Sequence, residues 1–223
     1  MKTQTMYENS YDGIDKLRDS TKLNTWALYV GKYNLQKPGY EASMAVTLTA
    51  HYGDAAVAKL IQAASKVPQT EAVTTVLRKE QLSAWLAAEK SPNEVFRRLK
   101  LDKGMDNLFT NPTMHTMTNY LNVFNFKCSR KHMSLMKTIA ESYTDAAVAK
   151  AIREAAKDPE TKSNALVLMG LQFDEWIIKD IKPAKMLQRV FGGTPTMEEK
   201  AIANVYASYY PRAKKHLSEL DLV

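Results

Sequence analysis

The sequence is poor in the residues that form covalent cross-links, metal cages and membrane spans. Cys128 is the only cysteine among 223 residues, so neither an intramolecular disulfide nor a thiolate metal cage can form. The longest apolar stretches, 164–171 and 176–178, fall well short of the roughly 20 residues that span a bilayer. No apolar segment follows Met1, so no signal peptide is expected. We expect a fold held together by its core, without a membrane and in a reducing compartment.

Motifs for the common enzymatic chemistries are also missing. The four histidines do not pair at i,i+4, and no Cys/His ligand spacing is present. The phosphate-binding loop, the nucleophile elbow and the dinucleotide fingerprint are all absent. His51 and Cys128 are interpreted as surface residues rather than as a base and a nucleophile. We therefore expect no catalytic residue, no cofactor and no metal, and so no enzyme.

The composition is that of a folded, basic protein. Hydrophobic residues make up 45% and charged residues 25%, and the net charge is +7 with a pI near 9.3. The lysines and arginines are dispersed, and their densest runs, 130–132 and 214–216, are short. Most of this charge is interpreted as solvated helix surface. Direct binding of RNA by a basic helical repeat remains the alternative function, although the aromatic residues do not interleave with the basic ones.

An internal repeat organises the chain. The octet 52–59, YGDAAVAK, recurs at 143–150 as YTDAAVAK, an offset of 91 residues. Without a gap, 41–99 and 132–190 share 20 identities in 59 positions. The same offset relates 10–34 to the end of the first complete module. This predicts three segments: residues 1–40 as the remnant of a module whose opening portion is missing, 41–131 as one module and 132–223 as another.

Each module is predicted to consist of helices. Apolar residues follow a helical period in every segment, and no segment alternates with period two between hairpin turns. Thr144 or Asp145 is a predicted N-cap, Ser91-Pro92 predicts a helix start, and Pro68 and Pro159 stop the second helix of each module. The remnant carries the stripe Leu23, Trp26, Tyr29, Val30 and Tyr33, which we expect to pack on the next helices around Met44 and Leu48.

Tryptophan and tyrosine recur at fixed sites in the modules. They could line a ligand site, but large rings at a helical period are more typical of a buried pair. The register after about residue 190 is uncertain by about a residue, because 192–195, GGTP, replaces a longer helical stretch. The predicted core motif comprises Trp26, Tyr29, Leu48, Tyr52, Trp85, Tyr120, Ile139, Tyr143, Trp176 and Tyr206.

These motifs resemble a known family. Residues 82–85 with 90–96 and 99–103 resemble the W motif of oomycete RxLR effectors, 111–125 resembles their Y motif, and 48–54 resembles the L motif of tandem LWY modules. The resemblance covers residues 10 to about 210, and no RxLR sequence is present. It implies tandem five-helix LWY bundles in an elongated helical-repeat array.

The resemblance also implies a function. Such effectors are secreted, enter plant cells and bind host proteins in the cytoplasm or nucleus. A subset that suppresses RNA silencing uses two adjacent modules to bind the scaffold subunit of protein phosphatase 2A, and displaces a regulatory subunit. We therefore expect a virulence effector that suppresses immunity as a protein-binding adaptor and is monomeric alone. Exposed positions that differ between modules would diversify binding; they are Gln62/Arg153, Ala63/Glu154 and Glu71/Lys162.

Overall fold

Helices make up all the regular secondary structure of the described chain. The computed structural model describes residues 21–105, 108–128 and 131–223. No strand occurs within these ranges, which confirms the all-α fold. The repeat positions Gly13, Asp15, Leu17 and Asp106 lie outside the described residues.

The helices divide between two compact units. One unit extends to Leu101 and also contains Pro112–Met133, and the other contains Asp102–Asn111 and Ser134–Val223. The helices of the first unit are α1 (Thr21–Gln36), α2 (Met44–Tyr52), α3 (Asp54–Ala64), α4 (Glu71–Ala87), α5 (Pro92–Arg98) and α6 (Thr113–Lys127). Those of the second are α7 (Leu135–Ala140), α8 (Asp145–Ala155), α9 (Lys162–Ile178), α10 (Pro183–Met186) and α11 (Met197–Glu219). The predicted module boundaries after residues 40 and 131 stay a prediction.

Side-chain caps fix where several helices begin. Ser91 accepts from the Glu94 backbone amide, and the Glu94 carboxylate accepts from the Ser91 amide, which forms a capping box before Pro92. Thr144, rather than Asp145, caps α8 by accepting from the Ala147 amide. Gly53 ends α2 and precedes α3 with φ of 81°, a backbone conformation that a side chain would strain.

The remnant helix α1 packs into the core of the first unit. Leu23 and Val30 are buried with Met44 and Leu48, and Trp26 is partly buried against them. The predicted position of Tyr29 in the core is wrong, because its side chain is 68% exposed.

The exposure of Tyr29 has a physical reason. The repeat aligns Tyr29 with Tyr120, whose ring packs on Trp85. The only tryptophan before Tyr29 is Trp26, which lies on the same helix. Helical periodicity thus identified α1 as apolar but could not say which of its faces has a partner.

Candidate functional site

The tryptophan and tyrosine that recur form the same pair in both units. The Trp85 and Tyr120 ring centroids are 5.5 Å apart with an interplanar angle of 89°. For Trp176 and Tyr206 the values are 5.4 Å and 87°. Both are edge-to-face contacts, the arrangement that the ring quadrupoles favour. All four side chains are buried.

A hydrogen bond anchors each tyrosine at an equivalent point. The Tyr120 hydroxyl donates to the Lys90 carbonyl, and the Tyr206 hydroxyl donates to the Ile181 carbonyl at 2.5 Å. Lys90 and Ile181 are themselves related by the 91-residue offset. The structure therefore places Tyr206 as the counterpart of Tyr120, although the strict offset would place Pro211 there.

Burial makes these tyrosines weak acids. Burial raises the pKa of Tyr120 to about 12 and also raises the pKa of Tyr206. Both hydroxyls stay protonated near neutral pH and already donate to backbone carbonyls. They are suited to holding the bundles together rather than to transferring a proton.

The first unit adds a buried polar centre around Asp54. Its Oδ1 accepts from the Trp85 indole Nε1 at 2.8 Å, and its Oδ2 pairs with Arg98 at 2.9 Å. The Gln81 side-chain amide donates to the Asp54 carbonyl at 3.1 Å. A carboxylate that is 7% exposed is thus both paired and hydrogen-bonded, as burial of a charge requires.

The second unit keeps only part of this centre. Gln172 donates to the Asp145 carbonyl at 2.9 Å, as Gln81 does to Asp54. The Asp145 carboxylate, however, pairs with Lys179 at 3.2 Å and is 30% exposed. The Trp176 Nε1 is buried with no hydrogen-bond partner in the structure.

An asparagine on the last helix of a repeat binds the backbone of the segment that follows this helix. Asn34 donates through Nδ2 to the Ala42 carbonyl at 3.0 Å and accepts from the Ala42 amide at 2.8 Å. Asn125 makes the same two bonds to Met133, both at 2.9 Å. The sequence alignment matches the two asparagines but gives them no role. The structure shows that each one holds the backbone of the residue eight positions later through two hydrogen bonds.

The remaining motif residues lie at three depths. Leu48 and Ile139 are buried, Tyr52 and Tyr143 are half-buried, and Tyr29 is exposed. The Tyr143 hydroxyl accepts from the Gly104 amide at 3.1 Å. The motif therefore describes packing within each unit and does not converge on one cavity.

The described residues contain no cluster of metal-ligating side chains. Among residues 21–105, 108–128 and 131–223, no group of three or more His, Cys, Asp or Glu side chains could hold a metal ion. The same ranges contain no helix that is both long and apolar enough to cross a bilayer. The pKa of Glu94 is lowered to about 2 by the Ser91 amide and by Lys90, which is an effect of helix capping.

The two modules differ at several surface positions. Glu71 and Lys162 are both exposed at equivalent positions, so the charge reversal lies on the surface. Arg153 is half-buried and pairs with Glu198 at 3.6 Å, so part of its charge is used within the second unit. On α9, Val167, Leu171 and Ile178 form an exposed apolar stripe that α4 does not carry in full.

Comparison with known proteins relates these features to a family. The family described as "Effector PexRD54, WY-domain" matches residues 80–121, which contain the Trp85–Tyr120 pair. An RxLR effector protein of Phytophthora infestans (strain T30-4) is 36% identical over 172 residues, covering 77% of this chain and 33% of the relative. The RxLR effector protein PSR2 of Phytophthora sojae is 32% identical over 168 residues, covering 75% of this chain and 25% of the relative.

A solved structure shares the fold as well. The crystal structure of PcRxLR12 superposes with a TM-score of 0.69 and 27% identity, covering 89% of this chain and 49% of that chain. The chain spans only about a quarter to a third of the length of the two curated relatives. The recurring pair, the helical bundles and these similarities lead to one conclusion: the chain belongs to the WY-domain RxLR effectors known from Phytophthora.

Proposed function

We propose that this chain is the protein-binding part of a secreted virulence effector that acts inside plant cells, in the cytoplasm or nucleus. It works as an adaptor and catalyses no reaction. Its partner is the scaffold subunit of protein phosphatase 2A, which it binds in place of a regulatory subunit to suppress host immunity. The observation that carries this proposal is the 32% identity to PSR2 over 168 residues, since a subset of effectors resembling that protein binds the scaffold subunit.

The structure supports an adaptor through the division between core and surface. The aromatic pair and its hydrogen bond are the same in both units, whereas exposed positions such as Glu71 and Lys162 differ. Two modules in one chain can present two different patches to one partner. Binding of the second patch is then intramolecular, which increases the affinity without new contacts.

The alternative, direct RNA binding, has the net charge of +7 in its favour. Stacking on bases requires exposed aromatic side chains, and the recurring Trp85, Tyr120, Trp176 and Tyr206 are all buried. Host-protein binding is therefore the better supported of the two.

The test is co-elution of the purified chain with the purified scaffold subunit on size-exclusion chromatography. We expect a complex at micromolar concentrations, and we expect a regulatory subunit to displace the chain from it. Absence of a complex at those concentrations would remove the phosphatase as the partner. A complex that also retains the regulatory subunit would contradict the displacement.

A further inference from the structure

Helix α1 carries more apolar surface than its packing covers. Its sixteen residues include only two charges, Lys22 and Lys32. Leu23 and Val30 face the core of the first unit, while Leu28 is 69% exposed. A helix that is apolar on several faces is normally covered on more than one of them. Part of α1 therefore remains available for another contact.

A groove of about 420 Å³ lies between α1 and α4. Its volume falls within the range of known binding pockets. The lining is mostly apolar or small, and includes Ala27, Leu28, Gly31, Met44, Ala72 and Val76. Val76 on the α4 side is 49% exposed. A Cβ atom added to Gly31 would meet no other atom within 4 Å, so the space next to this residue is open.

Unpaired positive charges flank the groove. Lys32 lies one helical turn from Leu28, and Lys79 lies three residues from Val76, so each lysine neighbours a wall residue on its own helix. Both lysines are exposed, and neither makes a salt bridge within the described part of the chain.

The carboxylate at the groove is already engaged. Glu80 accepts from the Ser43 hydroxyl at 2.8 Å and from the Ala45 amide at 2.9 Å, both through Oε2. Its Oε2 is thus held by donors of the same unit, and Lys32 and Lys79 are the groups beside the groove that remain free to form ion pairs with a partner.

The repeat indicates that the groove is not part of the common scaffold. In the equivalent helix α6, Asn119 and Asn122 occupy the positions of Leu28 and Gly31. Leu28 and Gly31 lie at the surface, whereas Leu23 and Val30 are the residues of α1 that are buried in the core. Core packing therefore does not account for the apolar residues at positions 28 and 31. Apolar character at exposed positions that the equivalent helix α6 does not share is typical of a binding surface rather than of the fold.

We propose that this groove binds one amphipathic α-helix of a partner protein, with its apolar stripe on the Leu28–Val76 walls and acidic residues flanking the stripe. Apolar anchors at i, i+3 or i+4 and i+7 suit a groove between two helices. Glutamates beside the stripe would lie near Lys32 and Lys79, and this charge complementarity favours such a helix over a basic one. The proposal does not depend on the identity of the partner as a phosphatase subunit.

The probe is a synthetic, fluorescently labelled helical peptide with a leucine stripe flanked by glutamates, titrated with the full chain and followed by anisotropy. A second peptide carries lysines in place of the glutamates. We expect the acidic peptide to bind about tenfold more tightly than the basic one. Equal binding of both peptides, or no binding of the acidic peptide at roughly millimolar protein, would overturn the proposal.

Gly31→Leu tests the groove itself. Leucine favours a helix over glycine and would fill open space, so this variant should melt no lower than wild type while binding the acidic peptide at least about tenfold more weakly. Ala50→Leu, which places the same side chain on the exposed face of α2 and adds one carbon fewer, is the matched control and should bind as wild type does. Wild-type affinity in a folded Gly31→Leu variant would show that the groove is not the binding site.

Charge reversal gives an independent result. The double variant Lys32→Glu/Lys79→Glu should lose the acidic peptide and gain the basic one, whereas Lys200→Glu on α11 should change neither affinity appreciably. An unchanged preference in the double variant would contradict the assigned orientation of the flanking residues.

Discussion

The two complete modules place an aspartate at the first residue of equivalent helices, α3 and α8, but they use it differently. Asp54 holds the Trp85 indole and Arg98, and its side chain is 7% exposed. Asp145 pairs with Lys179, is 30% exposed, and makes no bond to Trp176, whose Nε1 is buried without a partner. The edge-to-face aromatic pair is nevertheless the same in both units. The pair is thus the constant feature, and the polar centre beside it can change.

The difference begins where the repeat loses its register. The equivalent of Arg98 is Arg189, which lies in the π-helical segment Leu187–Phe191. A π-helix has more residues per turn than an α-helix, so side chains in it leave their α-helical positions. Gly192 and Gly193 follow with φ of 64° and 52°, conformations that suit glycine. The tyrosine contact survives because Tyr206, five residues before the strict offset position, takes the place of Tyr120.

Removing the tryptophans should have the largest effect. Trp85→Ala and Trp176→Ala each leave a large cavity, so each should cost about 3–5 kcal/mol in the free energy of unfolding. Trp85→Ala should cost more, because it also leaves the buried Oδ1 of Asp54 without its donor. Denaturant unfolding of both variants measures the difference. An unfolding midpoint equal to that of wild type for Trp85→Ala would contradict its place in the core.

Replacing the aspartates should give a loss of stability that differs clearly between the two modules. Asp54→Ala leaves the buried Trp85 Nε1 without an acceptor and Arg98 without its partner, and should cost about 1–3 kcal/mol. Asp145→Ala removes an ion pair that is partly exposed to solvent and should cost less than about 1 kcal/mol. Thermal unfolding of the two variants, side by side, gives the comparison. Equal losses would mean that the two polar centres contribute equally despite their different bonds.

Removing the tyrosine hydroxyls should have a smaller effect that depends on pH. Tyr120→Phe and Tyr206→Phe each lose one hydrogen bond, worth about 0.5–1.5 kcal/mol near neutral pH. Because the folded-state pKa of Tyr120 is raised from 10.0 to about 12, the stability that its hydroxyl contributes is full below pH 10 and is lost between pH 10 and 12.

The stability difference between wild type and Tyr120→Phe should therefore shrink as pH rises through this window, and Tyr206→Phe should show the same trend. Chemical unfolding of wild type and both variants at about pH 8, 10 and 11.5 measures this stability difference below and within the range in which Tyr120 titrates. A difference that stays constant to the highest pH would mean that Tyr120 does not titrate as its burial requires.

Much of this fold could be predicted from the sequence because apolar periodicity and the repeat agree. Ser91-Pro92 begins α5 as predicted, and the helices α3 and α8 both end before the prolines that follow them. Tyr29 was assigned wrongly because periodicity identifies an apolar face but not its partner. Arg98 pairs with Asp54, whereas Lys179 pairs with Asp145 in the second module. This change of partner could not be predicted from the sequence, because Lys179 aligns with Ala88 in the first module.

The caps of α2 and α7 show why an ungapped alignment misses some contacts. Glu80 accepts from Ser43, and Glu175 accepts from Ser134 at 2.8 Å. Glu80 aligns with Leu171, whereas Glu175 aligns with Ala84, so the acid has moved by one helical turn. A side chain one turn away on the same helix face can reach the same serine. Such exchanges become visible only when distances are available.

The proposed function depends on whether the chain binds a protein or RNA, and calorimetry addresses this directly. The purified chain is titrated into the phosphatase 2A scaffold subunit and, separately, into a single-stranded RNA, at about 0.15 M salt and again at a higher concentration. We predict micromolar or tighter binding to the scaffold subunit that depends weakly on salt, and little binding to the RNA. Binding to the RNA alone, falling steeply as salt rises, would contradict the account.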